Sequence, residues 1–339
     1  MDNFEPFVSI IVPTRNEENS IDRCLASFVS QTYPKDKFEL LIIDGLSSDK
    51  TLEIAQNYIT KLNLRIMSNQ KVKHVFAFNK GIQEAKGDYF IIVSGHSFVE
   101  KDFIKLNIDT YHGTANNQSK LAAVGGSLQV ISNNSFGMLV ACVFASPFSG
   151  SSSFWRSKTP FFAKTVVFGF YNKKMVQQVG CFDEDMVKGQ DYELNLRLRK
   201  NNFKLFCNPE IKPYYYVRQT VRGFFRQAYD NGVAKGLCIR KGYFNPVWFI
   251  PSLFIAFQAI LLAGLLFSFA WASYLLALFA VYWIINLLSS VKASDKKRES
   301  VFLPFIFYSL HVVSGLGFTA GLFKKLTNLE KQNHNNSKL

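Results

Sequence analysis

At 339 residues the chain can hold one large α/β domain and a smaller appendage, and 39 Lys+Arg against 25 Asp+Glu leave a net charge of +14. That charge asks for an anionic partner, yet zinc-finger spacing, an aromatic RNP pattern and a basic recognition helix are all missing, which argues against nucleic acid. The five cysteines (Cys24, Cys142, Cys181, Cys207 and Cys238) show no CxxC or disulfide spacing and read as reduced core residues, leaving anionic lipid and a diphosphate substrate as the better-fitting partners.

The acidic N-terminus reaches a strand within eight residues, so no signal peptide is expected. The β-branched run 8–12 ends in Pro13-Thr14-Arg15-Asn16-Glu17-Glu18, and the apolar run 40–43 ends in Asp44-Gly45-Leu46-Ser47-Ser48-Asp49. Continuous apolar runs of this length are how buried parallel strands read. Between them Ile21, Leu25, Phe28 and Val29 recur at helical spacing, completing a βαβ unit. Polar residues thus collect at the C-terminal ends of both strands, where open α/β sheets bind nucleotides. No Gly-x-Gly-x-x-Gly follows the first strand, so side chains must do the binding: Arg15 for phosphate, Asp44 for a base or ribose. Asp49 reads as the cap of a helix starting at Thr51.

Further strands near 64–67, 89–94 and 121–124, with helices at 19–31, 50–61 and 75–86, imply a mostly parallel sheet covered on both faces. Residues 135–165 are poor in charge and rich in Ser, Gly and Phe, and predict a mobile loop beside a site. Regular structure resumes over 167–200, ending in a helix that carries Leu194 and Leu198 one turn apart. The stretch 218–241 is basic and partly helical, with Arg218, Arg222, Arg226, Lys235, Arg240 and Lys241.

After Pro246 the composition changes. Segments 247–269, 270–291 and 301–323 carry no charge and are each long enough to cross a hydrocarbon core of about 30 Å. Basic residues before 246 and in the loop with Lys292, Lys296, Lys297 and Arg298 place both loops in the cytoplasm, which two crossings satisfy. A third crossing would put Lys324 and Lys325 outside. The third segment also carries His311, Gly315, Gly317 and Gly321, so it is interfacial, re-entrant or packed through its small residues. The expected organisation is a catalytic domain over 1–240, a membrane region over 241–325 and a disordered polar tail over 326–339.

The ordered set of segments resembles family two glycosyltransferases of the GT-A fold, over roughly residues 8 to 240. The resemblance lies in Pro13-x-x-Asn16-Glu17, the strand-end Asp44, Phe76-Ala77-Phe78-Asn79-Lys80-Gly81-Ile82 with Ala85-Lys86-Gly87-Asp88, Phe182-Asp183-Glu184, and Gln190-Asp191-Tyr192-Glu193-Leu194. Within the family the chain is most similar to membrane-bound exopolysaccharide glucosyltransferases of the succinoglycan type. Ser146-Pro147-Phe148, the run 190–200, and Arg226-Gln227 with Gly232 and Lys235-Gly236 carry that similarity.

The resemblance implies a Rossmann-like, mostly parallel α/β catalytic domain followed by transmembrane helices. It implies an inverting transfer of a hexose from a nucleotide sugar, a UDP-hexose, to a lipid-linked saccharide acceptor in polysaccharide assembly. The enzyme would sit in the cell membrane as a multi-pass protein with its catalytic domain in the cytoplasm. Pro13, Asn16, Glu17 and Asp44 would hold the nucleotide, with Arg15 and Asp49 beside them. Asp191 takes the position of the general base; without the resemblance it reads rather as a helix cap. Glu193 either is solvated or touches the acceptor. Arg222, Arg226 and Lys235 bind either the departing diphosphate or anionic lipid. Phe154 and Trp155 stack on sugar or belong to the bilayer interface.

Ser94-Gly95-His96 departs from the family, which places Asp-x-Asp or Asp-x-His there to hold a divalent metal. Only His96 could be a ligand, a structural histidine being the alternative, and imidazole favours manganese over magnesium. Other readings are direct transfer to polyprenyl phosphate and a non-catalytic scaffold. A processive synthase is disfavoured, since Gln-x-x-Arg-Trp is absent.

Overall fold

A computed structural model describes residues 4–116, 118, 120–186, 188–267, 270–294 and 301–324. In chain order the first elements are β1 (Val8–Thr14), α1 (Ile21–Val29), β2 (Phe38–Asp44), α2 (Thr51–Gln56), β3 (Leu64–Ser68), α3 (His74–Glu84) and β4 (Tyr89–Ile92). Next come β5 (Ser97–Val99), α4 (Phe103–Ala115), β6 (Leu121–Gly125), β7 (Gln129–Ile131), α5 (Ser135–Ala145), β8 (Phe161–Phe162), β9 (Phe170–Asn172) and α6 (Lys173–Gln178). The chain continues through α7 (Gln190–Lys200), β10 (Lys204–Cys207), β11 (Pro213–Tyr216) and α8 (Val221–Arg240). Three apolar helices follow: α9 (Ile250–Leu266), α10 (Ala272–Ala293) and α11 (Leu303–Phe323).

The main sheet has the order β3-β2-β1-β4-β9-β6-β10-β8. Neighbours are parallel except that β9 runs against both β4 and β6, and β8 against β10. Every residue of β1 and β2 is buried, which explains the apolar runs Ile10-Ile11-Val12 and Leu40-Leu41-Ile42-Ile43 within them, and the buried Glu39 of β2 is paired with Arg65 at 2.9 Å. Alternate residues serve opposite faces: Val8, Ile10, Val12, Leu40 and Ile42 join one core, and Ile11, Leu41 and Ile43 the other. The progression β1-β2-β3 runs one way across the sheet and β4 lies on the other side of β1, so strand order reverses between β1 and β4. A crevice opens at such a reversal, outside the carboxyl ends of the strands.

The described chain divides into two compact units, Met1–Val130 with Ser152–Tyr216, and Ile131–Ser151 with Val217–Leu339. The first holds the main sheet. In the second, α5 replaces the first part of the loop expected over 135–165. Asn134 caps it by accepting from the Gly137 N–H at 2.8 Å, and its charge-free sequence packs against α10 and α11. An apolar run with no charge was mistaken for a loop because its Ser and Gly neighbours after 145 do form turns.

The helices α9, α10 and α11 fall within spans long and apolar enough to cross a membrane, with mean hydropathies of 2.2, 1.9 and 1.5. Leu253, Leu278, Ile284 and Phe305 are all more than half exposed, as lipid-facing side chains are. The third span is 33% buried against 11% for the others, because α11 lies closely on α8. A Cβ at Gly236 would stand 2.5 Å from Phe318 O, and one at Gly321 would stand 2.4 Å from Val233 O, so only glycine permits this approach. Polar bonds tie the three helices together: Asn286 Nδ2 donates to Pro304 O at 2.9 Å and Tyr282 Oη lies 3.1 Å from His311 Nδ1, joining α10 to α11, and Ser252 Oγ donates to Gly315 O at 2.9 Å, joining α9 to α11. The expected polar tail and most of the basic loop before α11 lie outside the described residues.

Candidate active site

Two turns close the C-terminal ends of β1 and β2, and they are laced together. Asn16, in the left-handed region at φ 54°, donates its N–H to Ser47 Oγ at 2.9 Å and accepts from the Ser48 N–H at 2.9 Å. Asparagine tolerates that backbone better than most residues, which explains its place after Arg15. Asp44 is buried. Its Oδ1 accepts from Ser47 Oγ at 2.5 Å and from Thr14 Oγ1 at 3.3 Å, and its Oδ2 from the Ser47 N–H at 2.9 Å. A carboxylate offers about four acceptor directions, so one is left for a ligand. Asp49 accepts from the Thr51 N–H at 3.0 Å and from the Glu18 N–H at 3.1 Å, tying the two turns together, while Lys50 takes the N-cap position of α2. Pro13 is buried in β1 opposite Ile43, and Arg15 is exposed.

The turn after β1 also meets the turn after β4. Glu17 takes its own N–H to Thr51 Oγ1 at 2.7 Å. One of its carboxylate oxygens, Oε1, stands 3.1 Å from His96 Nδ1, and the other accepts from Ser20 Oγ at 2.7 Å. Ser94 Oγ is 3.0 Å from the same Nδ1. Burial alone would raise the Glu17 carboxyl, but the hydrogen bond and charge of His96, helped by Ser20 and His74, hold it below the usual range. His74, at the start of α3, is itself lowered, chiefly by burial and then by the positive charges of Lys188, His96 and Arg15. Arg15, Glu17, His74, His96 and Lys188 therefore form one electrostatic neighbourhood. The sequence reading passed over His74 and Lys188; His74 opens the helix whose later residues carried the resemblance, which was the available signal.

Asp191 stands in the first turn of α7, behind Gly189 in the left-handed conformation. Solvent reaches Asp191, yet protein crowds it enough that burial pushes its carboxyl above the usual aspartate range, with the N–H groups of Tyr192 and Asp191 pulling the other way. Two anchors fix α7. Buried Asn195 donates to Thr165 Oγ1 at 2.7 Å and accepts from Tyr171 Oη at 3.1 Å, tying α7 to β9, the neighbour of β4. Glu193 is buried and pairs with Arg197 through two contacts of 2.7 and 2.8 Å; Arg197 also donates to Val179 O and Cys181 O. Glu193 thus serves the helix. Asn79 on α3 exchanges two hydrogen bonds with the backbone of Phe182, joining two segments 103 residues apart.

Phe154 is buried in the core of the first unit, with Trp155 stacked beside it. Arg222, Arg226 and Lys235 belong to α8 in the second unit. Arg222 and Arg226 are exposed and one turn apart, whereas burial pulls the Lys235 ammonium below its usual value. Nine residues separate Arg226 from Lys235, which turns Lys235 to the other side of the helix. All five cysteines are free thiols.

A mostly parallel sheet whose strand order reverses beside β1, followed by three apolar C-terminal helices, defines the class of fold. Residues 9–118 match the model of glycosyl transferase family 2. The chain is 42% identical over 325 residues to the dolichyl N-acetyl-alpha-D-glucosaminyl phosphate 3-beta-D-2,3-diacetamido-2,3-dideoxy-beta-D-glucuronosyltransferase of Methanococcus voltae, covering 94% of this chain and 98% of that protein. It is 30% identical over 202 residues to glycosyltransferase AglE of Haloferax volcanii, 59% of this chain and 64% of that protein. Among solved structures, the mannosyltransferase of Pyrobaculum calidifontis in complex with GDP-Man and Mn2+ superposes with a TM-score of 0.64 at 16% identity, over 96% of this chain and 89% of that one. The chain belongs to glycosyl transferase family 2. It is a glycosyltransferase, and its fold is GT-A with three C-terminal apolar helices.

Proposed function

We propose that the protein is an inverting hexosyltransferase that moves a sugar from a nucleotide donor to a saccharide carried on lipid phosphate. The supporting observation is the 42% identity, running through the apolar helices, to a transferase named for an N-acetylglucosaminyl phosphate on dolichol. A diacetamido-glucuronosyl or related acidic hexosyl group, linked to UDP, is the first donor to test. The apolar helices would hold the enzyme in the cell membrane with the first unit in the cytoplasm, where nucleotide sugars are found.

In this reading Asp44, Asn16 and the turn around Pro13 and Arg15 hold the nucleotide, the free acceptor direction of Asp44 taking a base or ribose donor. Asp191 accepts the proton of the acceptor hydroxyl as its oxygen attacks the anomeric carbon; the bond to the diphosphate breaks, and its electron pair leaves with the diphosphate, inverting the anomeric centre. The raised carboxyl of Asp191 suits a base, being closer to neutrality than an ordinary aspartate. Arg222 and Arg226 are the exposed pair available to an anionic partner.

A divalent cation, when bound, would neutralise charge on the departing diphosphate. The residues present fit one loosely: among the described residues there is no group of three His, Cys, Asp or Glu placed to hold an ion, so His96 with Ser94 would hold it and the diphosphate would complete its shell. An imidazole donor favours manganese over magnesium.

The test is incubation of detergent-solubilised protein with a panel of UDP-hexoses and UDP-hexuronates and synthetic polyprenyl-phosphate N-acetylglucosamine. The expected product is the lipid-linked disaccharide, seen by mass. Glycosylation of bare polyprenyl phosphate instead would overturn the acceptor assignment, and absence of transfer together with absence of nucleotide binding would indicate a scaffold.

A further inference from the structure

We propose that Glu17 is a metal ligand, supplying together with His96 the protein side of a divalent-cation site at the junction of the turns after β1 and β4; this rests on the metal reading above. Glu17 Oε1 and His96 Nδ1 are 3.1 Å apart, and Ser94 Oγ is 3.0 Å from the same Nδ1. Two donors each about 2.1 Å from a common ion, and at right angles about it, stand about 3.0 Å apart. His96 Nδ1 thus stands from each of the other two atoms at the spacing of neighbouring corners of an octahedron, and Ser94 Oγ is also 3.2 Å from His96 Nε2.

The carboxylate is held in place from behind. Its second oxygen takes Ser20 Oγ at 2.7 Å, and its backbone N–H is fixed on Thr51 Oγ1 at 2.7 Å. Supports of this kind orient ligands in metal sites. Gly95, between the two β4-side donors, leaves no room to spare: a Cβ there would stand 3.2 Å from Thr14 Cγ2 and 3.3 Å from Glu17 Cγ. The pair is also open, with 20% of the Glu17 and 29% of the His96 side chain exposed, so an ion and the diphosphate it carries can enter. A carboxylate, an imidazole and a hydroxyl form a mixed oxygen and nitrogen set that accepts manganese. The pairing joins residues 79 positions apart at the strand reversal, where the crevice opens.

Manganese binding separates the possibilities without reliance on turnover. Mn2+ would be titrated into the full-length protein in detergent with UDP present, followed by electron paramagnetic resonance of the free ion. Glu17→Gln keeps the shape and a hydrogen-bond acceptor but removes the charge; it should weaken Mn2+ binding by at least about ten- to a hundredfold, the range seen even for lost outer partners. Ser94→Asp, which places a new carboxylate beside His96, should tighten binding in the wild-type background. In the Glu17→Gln background it should restore most of the lost affinity, an outcome that also shows the variants to be folded. If wild-type protein binds Mn2+ and Glu17→Gln binds it equally well, the assignment of Glu17 is wrong while the metal reading stands. Weaker UDP binding by Glu17→Gln in excess EDTA, with unchanged Mn2+ affinity, would make Glu17 a nucleotide residue instead. If the wild type binds no Mn2+ with UDP present, both readings fall.

Discussion

Loss of Arg197 should cost the first unit heavily. Its guanidinium grips Glu193 through contacts of 2.7 and 2.8 Å and donates to the carbonyls of Val179 and Cys181. The Glu193 side chain is only 1% exposed and that of Arg197 17%, so water cannot replace the pair. Arg197→Met keeps most of the apolar stem but leaves the buried carboxylate without this cation. Breaking a buried pair from one side costs about 3–5 kcal/mol, a large part of the roughly 5–15 kcal/mol that stabilises a domain. At about 2–4 °C per kcal/mol for a domain of this size, the melting temperature should fall by about 6–20 °C. A thiol-reactive dye reports it, because Cys24 and Cys207 are fully buried in the first unit and become reachable on unfolding. Adding Glu193→Gln to Arg197→Met removes the buried charge and should recover more than half of the loss. A single variant melting within about 2 °C of wild type, or a double variant no better than the single, would refute the reasoning.

Asp191→Asn should lower transfer by about a hundredfold or more while nucleotide binding survives; full activity would remove Asp191 from the mechanism. Because burial raises the folded carboxyl above its unfolded value, ionisation disfavours the folded state as pH rises through that interval. Wild-type protein should therefore lose melting temperature relative to Asp191→Asn as pH climbs above the usual aspartate value, and the acid limb of the transfer profile should lie higher than an ordinary aspartate gives. A Cβ at Gly321 would meet Val233 O at 2.4 Å, so Gly321→Leu should force α8 and α11 apart and destabilise the second unit by about 1–3 kcal/mol, checked by melting in detergent. Full-length protein should stay with membranes through a high-salt and carbonate wash; recovery in the soluble fraction without detergent would contradict membrane insertion.

The sheet was legible where burial is complete. Strands β1 and β2 are covered on both faces, so each carries a continuous apolar run, 10–12 and 40–43, and the turns after them stand out by contrast. Strand β9 was not legible: three residues, Phe170–Asn172, carry no periodicity, and only the sheet shows them lying antiparallel between β4 and β6. Asp44, Asn16 and Asp191 could be singled out because each sits beside a recognisable element. The contact of Glu17 with His96 could not, since the strand order that joins their turns is a property of the folded sheet. Likewise the sequence lists Arg222, Arg226 and Lys235 as one basic stretch, and only the helical turn separates the exposed pair from the half-buried lysine.

The position of α5 has a consequence for how the chain is made. This helix, Ser135–Ala145, is synthesised in the middle of the catalytic sequence, but its packing partners α10 and α11 begin at Ala272 and Leu303. More than a hundred residues must therefore leave the ribosome before its apolar surface is covered. At about 5–20 residues per second that surface is exposed for about 10 seconds or longer. The second unit therefore cannot be finished strictly from one end, and its completion waits for the last helices. Nascent chains stalled before residue 303 should present α5 to chaperones or lipid, and those released after Phe323 should not.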